Sequence, residues 1–368
     1  MPGSSFGTIF KITTWGESHG KATGVVVDGC PPGIELNEAM LQNELDSRKP
    51  GNNAASTSRK EPDIPEILSG VFNGLTTGTP IAIMIKNRDA NSRSYAANAL
   101  LFRPGHGDIT YKAKYGIRDW RGGGRASARE TAARVAAGAV AKALLSQYNI
   151  DVCAYTLALG GIKAVHFDLD EIHRNSLQCP DAQAFKLMEK RIKQVKKSGD
   201  SIGGVVEVVA ANVPPGLGDP VFDKLDADLA KALMGIGAVK GVEIGAGFHA
   251  AEMTGYENND QITETGFETN HSGGILAGIS NGDEIIVRVH VKPIPSILRE
   301  QNTMDENGEP HIISTQGRHD VSAVPRINAV CRSMVSLVLA DHILRQKAVQ
   351  CRSSDQLHGS NKNKKAIK

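Results

Sequence analysis

Hydrophobic positions recur along the chain in two periods. Runs of β-branched residues bounded by Gly, Pro, Asn or Asp predict strands at 22–29, 80–86, 203–213 and 283–291. Between them, apolar residues at i, i+3 and i+4 spacing predict helices. The clearest runs from Ala128 to about Gln147, where Ala132, Val135, Ala136, Ala139, Val140, Ala143 and Leu144 form one stripe. Its small side chains permit close packing. Further helices are expected at 37–47, 181–197, 223–234 and 326–346, the last closing on the amphipathic MVSLVLADHILRQ. Strands and helices do not alternate as regular βαβ units, so the pattern predicts an α+β protein.

Length alone would allow about two domains. No proline-rich or Gly/Ser linker cuts the sequence and no fixed repeat divides it, so one interwoven unit is expected over 1–351. Residues 352–368, poor in apolar side chains and rich in Ser, Asn and Lys, read as a disordered, mildly basic tail. The N-terminus lacks the charged and apolar regions of a secretory signal. No run approaches 18 uninterrupted apolar residues, so no membrane span is expected.

Charge changes the picture locally. The formal net charge is only +2, which argues against a globally basic nucleic-acid binder. Between Arg103 and Arg134, however, eight Lys/Arg face Asp108, Asp119 and Glu130, a local excess of five. The glycine run 122–124 lets backbone approach a ligand and delivers Arg125, Ala126 and Ser127 to the start of the alanine-rich helix. Ser127 and Glu130 have the spacing of a capping box. A helix N-terminus beside guanidinium groups would hold a phosphate or carboxylate, the reading preferred here. In the ordinary alternative the arginines are solvated or pair with Asp119 and Glu130.

Glycine supplies 39 of 368 residues, above the roughly 7% background, and much of it frames loops. Trp15 to Gly20 holds Ser18 and His19; Arg103 to Asp108 holds His106. Imidazole titrates near neutrality, so loop histidines are acid–base candidates, although either one alone could be structural. Gln316 to Asp320 places Arg318 and Asp320 before the last helix, and Arg48, Lys49, Arg59 and Lys60 bracket a polar loop. Five scattered cysteines (Cys30, Cys153, Cys179, Cys331, Cys351) read as reduced thiols, and no metal-ligand spacing is present. P-loop, HExxH and GxSxG motifs are absent, and Gly245 to Ala250 lacks the context of a dinucleotide fold.

The segments GESHG (16–20), RPGHGD (103–108), KYGIRDWRGGGRASARETAARVAAGA (114–139), GDSIGG (199–204), AVKGVEIGAGF (238–248), HSGGILAGISNG (271–282), VKPIPSI (291–297) and GRHD (317–320) resemble, in number and order, the chorismate synthase family. The resemblance covers about Phe6 to Gln346. It implies a β-α-β sandwich with helices packed between antiparallel sheets, assembled as a homotetramer. It also implies a cytoplasmic lyase of aromatic amino-acid biosynthesis. The reaction is anti-1,4-elimination of phosphate from 5-enolpyruvylshikimate 3-phosphate (EPSP) to chorismate, with reduced FMN (FMNH2) and no net redox change. By resemblance His19, His106, Asp320 and Ser18 are catalytic. His106 protonates reduced flavin, His19 protonates the departing phosphate, and Asp320 with Ser18 keeps flavin N5 able to take up a proton. Arg48, Arg103 and Arg129 fall to the substrate. Arg125, Ala126, Ser127, Ala238, Val239, Ala277, Gly278, Lys292, Pro293, Ile294, Pro295, Ser296 and Arg318 fall to FMN.

Short internal loops imply that a separate flavin reductase supplies the reduced flavin, with NADPH entering only indirectly. Ser47-Arg48-Lys49 stands where many relatives carry an arginine triplet, and the next arginine is replaced near Ala54. A non-catalytic binder of phosphorylated ligands or RNA is the competing reading. An aromatic content of 5% gives RNA bases few stacking platforms, and neither nucleic acid nor membrane is expected as a partner.

Overall fold

A computed structural model of the chain describes residues 3–49, 55, 61–88, 99–315 and 319–349. Two five-stranded antiparallel sheets form its outer layers. Sheet 1 contains β1 (Ser5–Phe6), β2 (Lys11–Gly16), β3 (Ala22–Asp28), β4 (Pro65–Ile67) and β5 (Ile81–Lys86), in the order β1-β2-β3-β5-β4. Sheet 2 contains β6 (Asp151–Leu159), β7 (Ile162–Lys163), β8 (Gly204–Ala211), β9 (Val239–Ile244) and β10 (Ile285–Val291), in the order β9-β10-β8-β6-β7. In β5 and β10 every second residue is buried, the pattern of a sheet with one face against the core.

The helices of eight or more residues are α1 (Glu38–Arg48), α2 (Asp108–Tyr115), α3 (Thr131–Ser146), α4 (Ala182–Lys197), α5 (Leu225–Met234) and α6 (Val324–Val349). Helix α3 packs on β2, β3 and β5, α6 packs on β6 and β8, and the two helices pack on each other. The layers therefore run sheet, helix, helix, sheet, with α1 beside both central helices. The predicted alanine stripe explains the closeness. A Cβ on Gly138 of α3 would stand 2.3 Å from the Cβ of Ser333 on α6. Only glycine fits at that crossing, and the Ser333 hydroxyl turns back to the Ala329 carbonyl at 2.8 Å.

By length and composition α6 could cross a membrane, but 89% of its most apolar 18-residue window is buried between α3 and sheet 2. It is the core helix of the sandwich. Its Asp341 Oδ1 accepts the backbone N–H groups of Thr8, Ile9 and Phe10 at 3.1, 2.7 and 2.8 Å, fastening the last helix to the first strands.

The expected strands and helices form with ends that coincide or shift by up to three residues. One correction concerns the start of the alanine-rich helix. Residues 128–130 form a separate 3-10 turn, and the α-helix begins at Thr131. The capping box does not form: Ser127 Oγ accepts from the Arg129 N–H at 3.3 Å, one residue short of the box position, and Glu130 reaches forward to Arg134 at 2.9 Å. Strands 11–16, 151–159 and 239–244 were not foreseen from the pattern. Cys30, Cys153, Cys179 and Cys331 are free thiols. Cys351 and the tail 352–368 lie outside the described residues.

Candidate active site

The glycine run forms the floor of the site. Gly122, Gly123 and Gly124 have φ of +67°, +96° and +53°, a region that only glycine enters freely. A Cβ at Gly122 would lie 2.2 Å from His19 Cε1, and one at Gly123 would lie 2.9 Å from His106 Cε1. Two histidines 87 positions apart thus rest on consecutive residues of one bare backbone.

His106 is held from one side. Its Nδ1 lies 2.9 Å from Asp108 Oδ1, at the first turn of α2. Asp108 is buried and also accepts from Arg103 Nε at 2.7 Å, Arg103 Nη2 at 2.8 Å and the Arg103 backbone N–H at 3.1 Å. Arg118 Nη1 adds a contact at 3.3 Å. Burial pushes the Asp108 carboxyl up, but the hydrogen bonds from Arg103 and His106 outweigh it and hold the group well below the usual range. Arg103 Nη2 also lies 3.1 Å from this Nδ1, so the ring nitrogen sits between a donor and a carboxylate that accepts from an Nδ1–H. Nε2, on the Gly123 side, is left for chemistry. Asp108 was not among the foreseen site residues, although its spacing of two from His106 was a usable signal.

His19 Nδ1 lies 3.1 Å from the hydroxyl of buried Ser18. Asp119 stands near enough to feel His19. Its carboxyl is held low chiefly by the side-chain hydrogen bond from Arg121.

The arginines of the basic segment all meet protein partners where the structure describes them. Arg121 pairs with Asp119 and Arg134 with Glu130, each at 2.9 Å, as the ordinary alternative had it. Arg125 donates to Thr14 Oγ1 at 2.7 Å and to the Gly16 carbonyl at 3.1 Å, so it ties the glycine loop to β2. Arg48 and Arg129, both buried, each take one oxygen of fully buried Asp63. Burial raises the Asp63 carboxyl, but Arg48 and then Arg129 more than offset this and hold it low. Arg129 Nε also donates to Asn87 Oδ1 at 2.8 Å. Asp320 pairs with Arg326 at 2.5 Å, and Arg326 Nε donates to the Arg48 carbonyl at 3.2 Å, which joins this turn to the Arg48–Asp63–Arg129 cluster. Arg318, Ala54, Arg59 and Lys60 lie outside the described residues.

Beside His106 a cavity of about 270 Å³ is lined by Pro104, Gly105, Asp200, Ser201 and Lys292 to Pro295, with Lys292 Nζ donating to the Gly105 carbonyl at 2.7 Å and Asp200 paired with Arg299 at 3.0 Å. Ala238 and Val239 adjoin it, since the Ala238 carbonyl accepts from the Lys292 N–H at 2.9 Å and Val239 pairs with Val291. Ser296 is buried. Ala126 closes the 3-10 turn after the glycines through its N–H to the Gly123 carbonyl, 2.9 Å. Ala277 and Gly278 form a hairpin turn whose contacts are with Gly218, Lys224 and Leu225 rather than with the histidine loops.

Two loop histidines over a glycine floor, one locked by a carboxylate and flanked by buried guanidinium groups, make a site for moving protons beside anions. A sequence model described as "Chorismate synthase" matches residues 10–344. A protein named chorismate synthase from Desulfosudis oleivorans is 65% identical over 350 residues, covering 95% of this chain and 99% of that one. Another from Chloroflexus aurantiacus is 52% identical, covering 97% and 99%. A solved structure described as "Crystal Structure of Chorismate Synthase" superposes with a TM-score of 0.73 at 33% identity, covering 93% of each chain. The class is therefore that of carbon–oxygen lyases acting on phosphates. More narrowly, the chain belongs to the chorismate synthase family, whose reaction is a step of the shikimate pathway. Full-length similarity of this kind sets aside the non-catalytic reading.

Proposed function

We propose that the chain converts EPSP into chorismate and phosphate by anti-1,4-elimination in the presence of reduced FMN. A C–H bond breaks at one end of the allylic system, the C–O bond to phosphate breaks at the other, and a new double bond forms. No electrons are gained or lost overall. The residues fit a flavin mononucleotide. Proline and isoleucine walls beside His106 suit a planar ring, and the Lys292 ammonium suits a phosphate. When bound, the reduced flavin supplies an electron-rich ring and the nitrogen that receives the substrate proton.

The chain's own groups divide the remaining work. His106, with Asp108 beside its Nδ1, would give or take a proton at Nε2 toward the bound cofactor. His19, oriented through Nδ1 by Ser18, delivers a proton from Nε2 to the departing phosphate. Asp320, with Ser18 as relay, keeps the accepting nitrogen free. Arg48, Arg129 and Arg103 give the substrate's carboxylates and phosphate a positive surround, and Arg318 with Lys292 to Ser296 holds the cofactor. The catalytic unit spans 1–351, works as a homotetramer in the cytoplasm, and draws reduced flavin from a separate NADPH-dependent reductase.

The observation that carries this reading is the seating of His19 and His106 on consecutive glycines. Its test is an anaerobic assay with dithionite-reduced FMN and EPSP, following chorismate absorbance and phosphate release. Product should form with reduced flavin and be absent with oxidised FMN. Folded, FMN-binding protein that yields no chorismate would overturn the proposal. His106→Ala should lower turnover about a hundredfold or more.

A further inference from the structure

The turn that joins β2 to β3 carries Ser18 and His19. Its position decides where the His19 ring lies, and the tolerance is narrow. A Cβ on Gly122 would be 2.2 Å from His19 Cε1 and 3.1 Å from Ser18 Oγ, so a small shift of the turn lifts the ring off its glycine seat or drives it into the floor. Within the turn, the Gly20 N–H donates to the Glu17 carbonyl at 3.1 Å. The carbonyls of Glu17 and Gly20 are also both taken by one side chain from elsewhere: Asn87 Nδ2 donates to them at 2.9 and 2.8 Å.

Asn87 directly follows β5, where Lys86 pairs with Ala22 of β3, and its backbone N–H donates to the Lys21 carbonyl at 3.1 Å. The sheet therefore delivers the amide to the turn. Its other end faces the arginine cluster, since Asn87 Oδ1 accepts from Arg129 Nε at 2.8 Å and Arg129 Nη2 reaches the Lys86 carbonyl at 3.4 Å. A carbonyl can only accept and a guanidinium can only donate, so one orientation of the amide satisfies all three partners and the flipped one satisfies none. An aspartate there could hold Arg129 but not the turn.

We propose that Asn87 is a positioning residue for the reaction: its amide seats His19 over Gly122 and keeps Arg129 at a fixed distance from it. The roles of His19 and Arg129 rest on the function proposed above; the clamping of the turn does not.

The experiment uses the full-length chain with Asn87→Leu, which removes both functions of the amide, and Asn87→Asp, which keeps the acceptor for Arg129 and removes the donors. Each is made alone and with His19→Ala, and thermal unfolding verifies folding; the near-isosteric Asn87→Asp carries the test if Asn87→Leu does not fold. With reduced FMN and EPSP, kcat should fall about tenfold to a hundredfold in both single variants, the scale of a misplaced proton donor. In the His19→Ala background neither change should lower kcat further, because the loss passes through His19. Additive losses would mean that Asn87 acts on the fold at large, and would overturn the proposal. Asn87→Leu should also raise KM for EPSP about tenfold in both backgrounds, through Arg129.

A second readout needs no turnover. Labelling with diethyl pyrocarbonate, followed residue by residue by mass spectrometry, should proceed at a changed rate at His19 in both single variants and at an unchanged rate at His106, which Asp108 holds. Folded variants with wild-type His19 labelling would overturn the clamp, even in a chain that makes chorismate. A selective change at His19 in a chain that makes no chorismate would instead remove the proposed function and leave Asn87 as the clamp of the turn.

Discussion

Asp108→Asn tests how the site is built. The carboxylate is 2% exposed and takes hydrogen bonds from Arg103 and His106, with Arg118 at 3.3 Å. The amide offers one acceptor and no charge, which removes the carboxylate that buried Arg103 and Arg118 share and leaves Arg118 with Glu306 at 3.5 Å. Breaking a buried pair in this way costs about 3 to 5 kcal/mol. At the lower figure the ratio of folded to unfolded protein falls more than about a hundredfold. The amide can also present its NH2 to Nδ1, which then favours the tautomer with the proton on Nε2. Turnover should drop about a hundredfold or more, the scale of a mispositioned general acid. The pH dependence has a definite sign. The folded-state carboxyl lies below its ordinary value of about 3.9, so its contribution is complete above that value and is lost as pH falls toward the depressed one. Urea unfolding at pH 7 and in acid, alongside the anaerobic assay, measures both effects. The gap between wild type and variant should narrow in acid. Equal urea midpoints at pH 7, or wild-type turnover with an unaltered pH profile, would refute the reasoning.

Asp63→Asn, which strands buried Arg48 and Arg129, should lower stability by about 3 to 5 kcal/mol in a denaturant titration, again with the gap closing in acid. Gly123→Ala forces a methyl group to 2.9 Å from His106 at φ +96°, so activity should fall well beyond the accompanying loss of stability, read by assay and melting point side by side. Gly138→Ala drives a Cβ into Ser333 at the central helix crossing and should cost about 1 to 3 kcal/mol by thermal unfolding, with the double change Gly138→Ala/Ser333→Gly recovering part of it. Cys30, whose thiol burial pushes up to about 11, should resist a disulfide exchange reagent at pH 8 until the protein is unfolded.

Legibility in the sequence followed the range of the interaction. Alternating strands such as 80–86 and the apolar helix at 326–346 announced themselves, because each needs only a local period. Strand 151–159 did not: the four consecutive residues 154–157 at its middle are buried on both faces, which erases the alternation. His19, His106 and the glycine run were each visible as loops, yet nothing local says that two of those glycines carry the two histidines. The fate of the basic segment was least legible. Arg129 pairs with Asp63, 66 positions earlier and shared with Arg48, and a count of charges between 103 and 134 cannot include that partner. The family resemblance supplied roles for these residues, whereas the partners that restrain them came from the three-dimensional arrangement.

The clasp between Asp341 and the backbone at Thr8 to Phe10 sets an order of events during synthesis. Ribosomes make the N-terminal end first, so the segment leading into β2 emerges long before its anchor, 331 to 333 residues later, exists. Sheet 2 is likewise complete in sequence by Val291 but lacks the helix that covers its inner face until α6 has left the exit tunnel. Half-made chains therefore display the inner face of sheet 2, and the face of α3 that meets α6, to the cell, and a nascent polypeptide stalled before residue 324 is a natural client for a chaperone rather than a partly working enzyme.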